Sequence, residues 1–157
     1  MAARELRDQI RSAFPAAAYY GQITVCDCGE CTYIREGLRQ KRWDEISAKF
    51  VDFTCSPVLL TEEAFCAFLP AYLLRALDDL TSSAIVLELT VYSVCLSNDD
   101  DLPRMVLRAR LMTPVQIEAI RAFLEFVGEN AADADWFRPF IRDALDKIWV
   151  TEPTEKV

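Results

Sequence analysis

The stretch TEEAFCAFLPAYLLRALDDL, residues 61–80, does most to restrict the fold of this chain. Thr61 is a good helix N-cap, and Glu62 and Glu63 favour the positive end of a helix that starts there. Phe65, Phe68, Leu69, Tyr72, Leu73, Ala76, Leu77 and Leu80 then form one unbroken apolar stripe at helical spacing. Pro70 lies inside the stripe and has no N–H to donate to the carbonyl of Cys66. The pattern predicts a kink or a restart at Pro70, with both halves sharing one buried face.

Other segments carry the same period. Leu6, Ile10, Ala13 and Phe14 mark a helix over 3–14 that Pro15 stops. Ile34 and Leu38 mark a short one after Cys31, and Trp43, Ile46, Phe50 and Phe53 another. TPVQ at Thr113–Gln116 is a capping box with proline at the first helical position. Ile117, Ile120, Phe123, Leu124 and Val127 follow on one face, with Gly128 placed to end the helix. Trp136, Phe137, Phe140, Ile141, Ala144, Leu145, Ile148 and Trp149 predict an amphipathic terminal helix.

The segment AIVLELTVYSVCL is ambiguous. Ile85, Leu87, Leu89 and Val91 alternate as in a strand, while Ile85, Leu89, Tyr92 and Leu96 equally mark a helical face. Met105, Leu107, Ala109 and Leu111 alternate again, so a short hairpin around 85–112 competes with helices. Two lone strands need a sheet to join, and nothing else in the chain offers one. Four glycines in 157 residues also argue against a turn-rich β architecture. The expectation is mainly α: one compact helical domain of about six helices over 1–150, with a flexible acidic tail at 151–157.

Composition narrows the function classes. A formal charge of −8 leaves no excess of Lys and Arg to neutralise phosphates, which argues against nucleic acid. The dense cluster RQKR, Arg39–Arg42, suits the negative end of a helix. No apolar run is long enough to span a bilayer, and MAARELRDQIRSAF lacks the apolar region of a secretory signal. A cytoplasmic setting is expected, in which six cysteines stay reduced rather than forming disulfides.

The chain has no histidine, which removes the commonest general base and the imidazole of Cys and Ser triads. Neither glycine-rich phosphate-binding fingerprint is present. No catalytic constellation emerges, and the chain reads as a non-enzyme. Asp99, Asp100 and Asp101 lack the ligand spacing of a calcium loop and read as a solvated loop, or as part of an acidic surface for a partner.

The stretch CDCGEC, Cys26 to Cys31, carries the remaining chemistry. Cys28-x-x-Cys31 has the spacing of half a zinc knuckle, and Cys26 adds a third thiolate. A structural site ordinarily has four ligands; Cys55 is the candidate fourth, with Asp27 or Glu30 as oxygen alternatives. The same CGEC has the spacing of a redox pair, without the strand–helix setting of the thioredoxin fold. Ordinary reduced thiols are the plainest of the three readings. Cys66 and Cys95 fall at packing positions.

CGECTYI…RQKRW, LLTEEAFCAFLPAYLLRAL and LMTPVQIEAIRAFLEF together resemble an uncharacterised bacterial family of unknown function. Its pattern pairs a C-x-x-C with a TPEAF…LPAYLL helix and a later TPEQ…AI.AFL helix. Glu62 stands where that pattern has proline, and Val115 where it has glutamate. The resemblance implies a helical domain over roughly 26–149 and carries no catalytic residues. Small size, a sturdy core and net acidity make an interaction protein the leading expectation. Its concrete form is an immunity or regulatory protein covering a basic partner such as a toxin. The alternatives are a small zinc-binding module and a thiol-redox switch.

Overall fold

A computed structural model describes residues 1–95 and 99–151. Leu96, the start of the acidic loop at Ser97 and Asn98, and the expected tail beyond Thr151 lie outside the described residues. Among the described residues eight α-helices follow one another: α1 Ala3–Ala13, α2 Gly29–Leu38, α3 Ala48–Thr54, α4 Glu62–Ala76, α5 Ile85–Val94, α6 Leu102–Arg110, α7 Pro114–Asn130 and α8 Ala134–Lys147. The expectation of about six was low because 85–112, left open to a hairpin, supplies two of the eight. The 43–53 segment divides into a 3₁₀ turn at Trp43–Glu45 and the separate α3, which leaves the number of α-helices as it was.

The hairpin is therefore corrected. The buried positions of α5 are Leu87, Thr90, Val91, Ser93 and Val94, a helical spacing, and Ile85 and Leu89 face outward. Among the described residues no sheet exists for a hairpin to join; the only extended pairing is an isolated antiparallel bridge between Thr24 and Leu60.

α4 is the central element. It runs without a restart through Pro70 and buries Ala64, Phe65, Phe68, Leu69, Ala71, Tyr72, Leu73 and Ala76, which spread around most of its circumference. Such all-round burial marks a core helix. α1, α3, α5 and α6 pack on it, and α7 bridges α1 and α8. The expected caps are in place: Thr61 Oγ1 accepts from the Ala64 N–H, and Thr113 and Gln116 complete the reciprocal box ahead of Pro114. Gly128 does not end α7, which continues to Asn130; it faces α8, where a β-carbon at this position would meet Ile141 Cδ1 at 3.5 Å. Trp149, just past α8, is fully buried and donates its indole N–H to Val94 O at 2.7 Å.

Candidate metal centre

The segment before α2 is tied to the start of α4. Val25 N–H donates to Leu59 O, Thr61 N–H donates to Ile23 O at 2.9 Å, and Thr61 Oγ1 donates to Gln22 O at 2.7 Å. Thr61 thus caps α4 and holds the approach to the cysteines with the same hydroxyl. The chain then passes Cys26 and Asp27 and enters α2 with Cys28 as N-cap, in extended conformation. One helical turn on, Cys31 points inward with Ile34 and Leu38, and all three are buried.

This path brings three thiols together. Cys26 Sγ lies 2.7 Å from Cys31 Sγ and 3.2 Å from Cys28 Sγ, and all three sulfurs lie within 4.8 Å of one another. Cys26 and Cys28 are exposed, and Cys31 is buried. The backbone N–H of Cys31, followed by the neighbouring thiols, holds the Cys28 thiol below its ordinary range. Cys31 is pushed up to about 12, first by the Cys26 thiol and then by burial. Three thiolates this close repel, so full deprotonation requires a cation among them.

Arg35, one turn beyond Cys31 on α2, clamps the loop. Its Nη1 donates to Cys26 O at 2.8 Å, Thr24 Oγ1 at 3.0 Å and Asp27 Oδ1 at 3.1 Å, and its Nη2 donates to Thr32 Oγ1 at 3.1 Å. Thr24 Oγ1 itself donates to Cys26 O at 3.0 Å. The sequence reading passed over Arg35, Thr24 and Thr32. The available signal was the four-residue step from Cys31 to Arg35, which stacks the two on one helix face.

The other sequence candidates lie elsewhere. Cys55 is the C-cap of α3 at φ 61°, and its thiol donates to Asp52 O at 2.9 Å. It is not in the thiol group, which among the described Cys, Asp and Glu residues consists of Cys26, Cys28 and Cys31. Asp27 is engaged by Arg35, and its side chain is otherwise turned to solvent. Glu30 sits exposed in the first turn of α2. Asp99, Asp100 and Asp101 form a 3₁₀ turn leading into α6, where the negative charge of Asp101 favours the cationic form of buried Arg108.

Cys66 and Cys95 are packing residues: burial pushes each thiol up to about 12. No helix of the described residues is long and apolar enough to cross a membrane.

A tetrahedral zinc ion with Zn–S bonds of ~2.3 Å sets neighbouring sulfurs about 3.8 Å apart. The sulfur separations, from 2.7 Å to no more than 4.8 Å, lie in a range that takes in that spacing. The donor set suits a soft or borderline cation and leaves one coordination position toward water.

No curated protein matches the chain, and no solved structure does. A family model matches residues 2–152, a span that takes in all eight helices and the thiol cluster, and the chain therefore belongs to the family of unknown function DUF6714.

Proposed function

We propose that this protein is a metal-binding module that holds one zinc ion, or another thiophilic cation, through Cys26, Cys28 and Cys31. The observation that carries the proposal is the meeting of three thiol sulfurs within 4.8 Å. A packing role does not account for it, because two of the three thiols are exposed and gain nothing from apolar contact. The Arg35 clamp adds support: it orders the backbone of the ligand loop, as outer-shell partners of metal ligands do. With three protein ligands the ion keeps an open position, so the module suits metal exchange or ligand binding better than a sealed structural role.

The test is metal analysis of reduced protein reconstituted with zinc and freed of excess. One ion per chain is expected, lost in Cys28→Ser and Cys31→Ser and kept in Cys55→Ser. Retention of less than a tenth of an ion by the unaltered chain, a threshold of about ten-fold below stoichiometry, overturns the reading. The interaction reading, with a basic partner on an acidic surface that includes Asp99, Asp100 and Asp101, rests on the net charge of −8. Co-purification with a basic protein, weakened by raising salt, is its own separate test.

A further inference from the structure

We infer that the same cluster is an oxidation site for peroxides: Cys26 and Cys31 close to a disulfide, the metal ion leaves, and Cys28 is left as a free thiol. This rests on the metal reading for the release of the ion, and on geometry alone for the choice of bond.

Cys26 is the sulfur shared by both close contacts, 2.7 Å from Cys31 and 3.2 Å from Cys28. A disulfide bond is ~2.05 Å, so the inner pair closes with a movement of less than about 1 Å. Access is asymmetric. Cys26 and Cys28 meet solvent, whereas Cys31 is buried and anchored on α2. A peroxide therefore reacts first at an exposed sulfur, and the buried sulfur supplies the second half of the bond.

The chemistry balances along either entry route. When hydrogen peroxide meets Cys26, the sulfur gives an electron pair to one oxygen, the O–O bond breaks, and the other oxygen leaves as water. The resulting sulfenic acid is attacked by Cys31 sulfur; the S–S bond forms, the S–O bond breaks, and a second water carries off the Cys31 proton. When peroxide meets Cys28 instead, Cys26 resolves the sulfenic acid to a Cys26–Cys28 disulfide. Cys31 then attacks Cys26 and expels Cys28 as thiolate. Both routes consume two thiols and one peroxide and yield one disulfide and two waters. The ion then keeps one thiolate of its three, which cannot hold it.

The bond also has a structural consequence for where the oxidised loop rests. Cys26 O, Thr24 and Asp27 are already gathered by Arg35, whose helix carries Cys31. The disulfide joins two segments that the guanidinium has brought together, so oxidation requires no rearrangement of the helices.

The experiment treats zinc-loaded full-length protein with stoichiometric hydrogen peroxide. Ion release is followed with a chromogenic chelator, and the linkage by mass spectrometry. Cleavage at Asp27 and Glu30 separates all three cysteines, which otherwise share one tryptic fragment between Arg11 and Arg35. One released ion per Cys26–Cys31 link is expected, with Cys28 open to alkylation and full reversal by dithiothreitol. Cys28→Ser still forms the link. Cys26→Ser slows disulfide formation at least about ten-fold and leaves sulfenic acid on Cys28, which a second equivalent of peroxide carries to sulfinic acid.

A Cys28–Cys31 link, or retention of the ion while only higher oxides form, overturns this inference and leaves the metal reading standing. Formation of the Cys26–Cys31 link in an unaltered chain that never retained zinc overturns the metal reading and the ion release, but supports the assigned bond.

Discussion

Arg108 is 2% exposed, and its guanidinium carbon lies 3.9 Å from the centre of the Phe65 ring. Its Nη1 reaches only the Met105 sulfur, and Nε and Nη2 have no hydrogen-bond partner among the described residues. Burial lowers its pKa to about 10, with Arg104 adding repulsion and Glu62 partly offsetting it. The cation–π contact returns ~2 kcal/mol when desolvated, while burying an ion without a matched partner costs several. The cost wins. Arg108→Met keeps the long apolar stem without the charge, and is expected to raise unfolding stability by about 1–3 kcal/mol in urea titrations. A loss of stability would show that the charge is compensated in the folded state.

Cys55 gives a prediction of opposite origin. Its φ of 61° lies where glycine is at ease and a β-carbon is strained. Cys55→Gly is expected to leave zinc stoichiometry unchanged and to hold or raise stability by up to about 1 kcal/mol, since relief of strain offsets the added freedom of the unfolded chain. Loss of zinc in this variant would place Cys55 in the ligand set after all.

At the scale of elements, the sequence was most legible where caps and apolar period agreed. Thr61 and Thr113 mark helix starts with their own hydroxyls, and the faces they introduce are buried as expected. It was least legible over 85–112. There β-branched and apolar residues occupy both sides of α5, Thr90 and Ser93 are buried, and Leu107 and Leu111 are exposed while Arg108 is inside. A polar–apolar pattern written by burial would have shown two helices; the composition inverts it at these positions. The cysteine cluster was legible as spacing, because Cys26, Cys28 and Cys31 are local in the chain. The exclusion of Cys55 from the group was not, because it depends on where α3 docks.

That docking depends on Gly37. A β-carbon at Gly37 would overlap the Phe50 ring of α3, which stacks on Tyr33 of α2 with centroids 5.7 Å apart. Alanine is favoured over glycine within a helix by ~1 kcal/mol, and overpacking costs about 1–3 kcal/mol. Gly37→Ala is therefore expected to destabilise by up to ~2 kcal/mol and to shift Tyr33 fluorescence; a net gain would show that Phe50 moves aside freely.

Arg35 acts on the same helix from the other side. Arg35→Ala removes four hydrogen bonds around the ligand loop and is expected to weaken zinc about 10–100-fold, read by chelator competition, with the helix content unchanged.

Across the whole molecule, the thiol cluster and the core are separable. The main core draws side chains from α1, α2 and α4–α8, and from Trp149, which Arg121 secures by donating to Trp149 O at 2.6 Å and Leu145 O at 3.1 Å. Of the three thiols only Cys31 is buried, and it lies outside that cluster. Small zinc folds that unfold without their ion lack such a core. Here a chelator is expected to strip the ion and leave far-UV circular dichroism intact.

Under the metal-binding proposal, an ion at the cluster adds stability by mass action. At a free concentration one hundred times its dissociation constant it contributes ~2.7 kcal/mol. For a chain of this size that raises the melting temperature by about 5–10 °C. The gain would depend on pH, because the Cys26 thiol and burial push the Cys31 thiol up in the metal-free cluster, and binding as a thiolate would require that proton to leave. Each proton displaced weakens the apparent affinity about ten-fold per unit fall in pH, so the thermal shift shrinks as the solution is acidified and grows toward alkaline pH. Thermal melts with and without zinc across neutral pH measure this directly. A shift that is constant with pH would mean that the ion binds at carboxylates rather than thiols, and collapse of the helical signal on chelation would make the metal part of the fold.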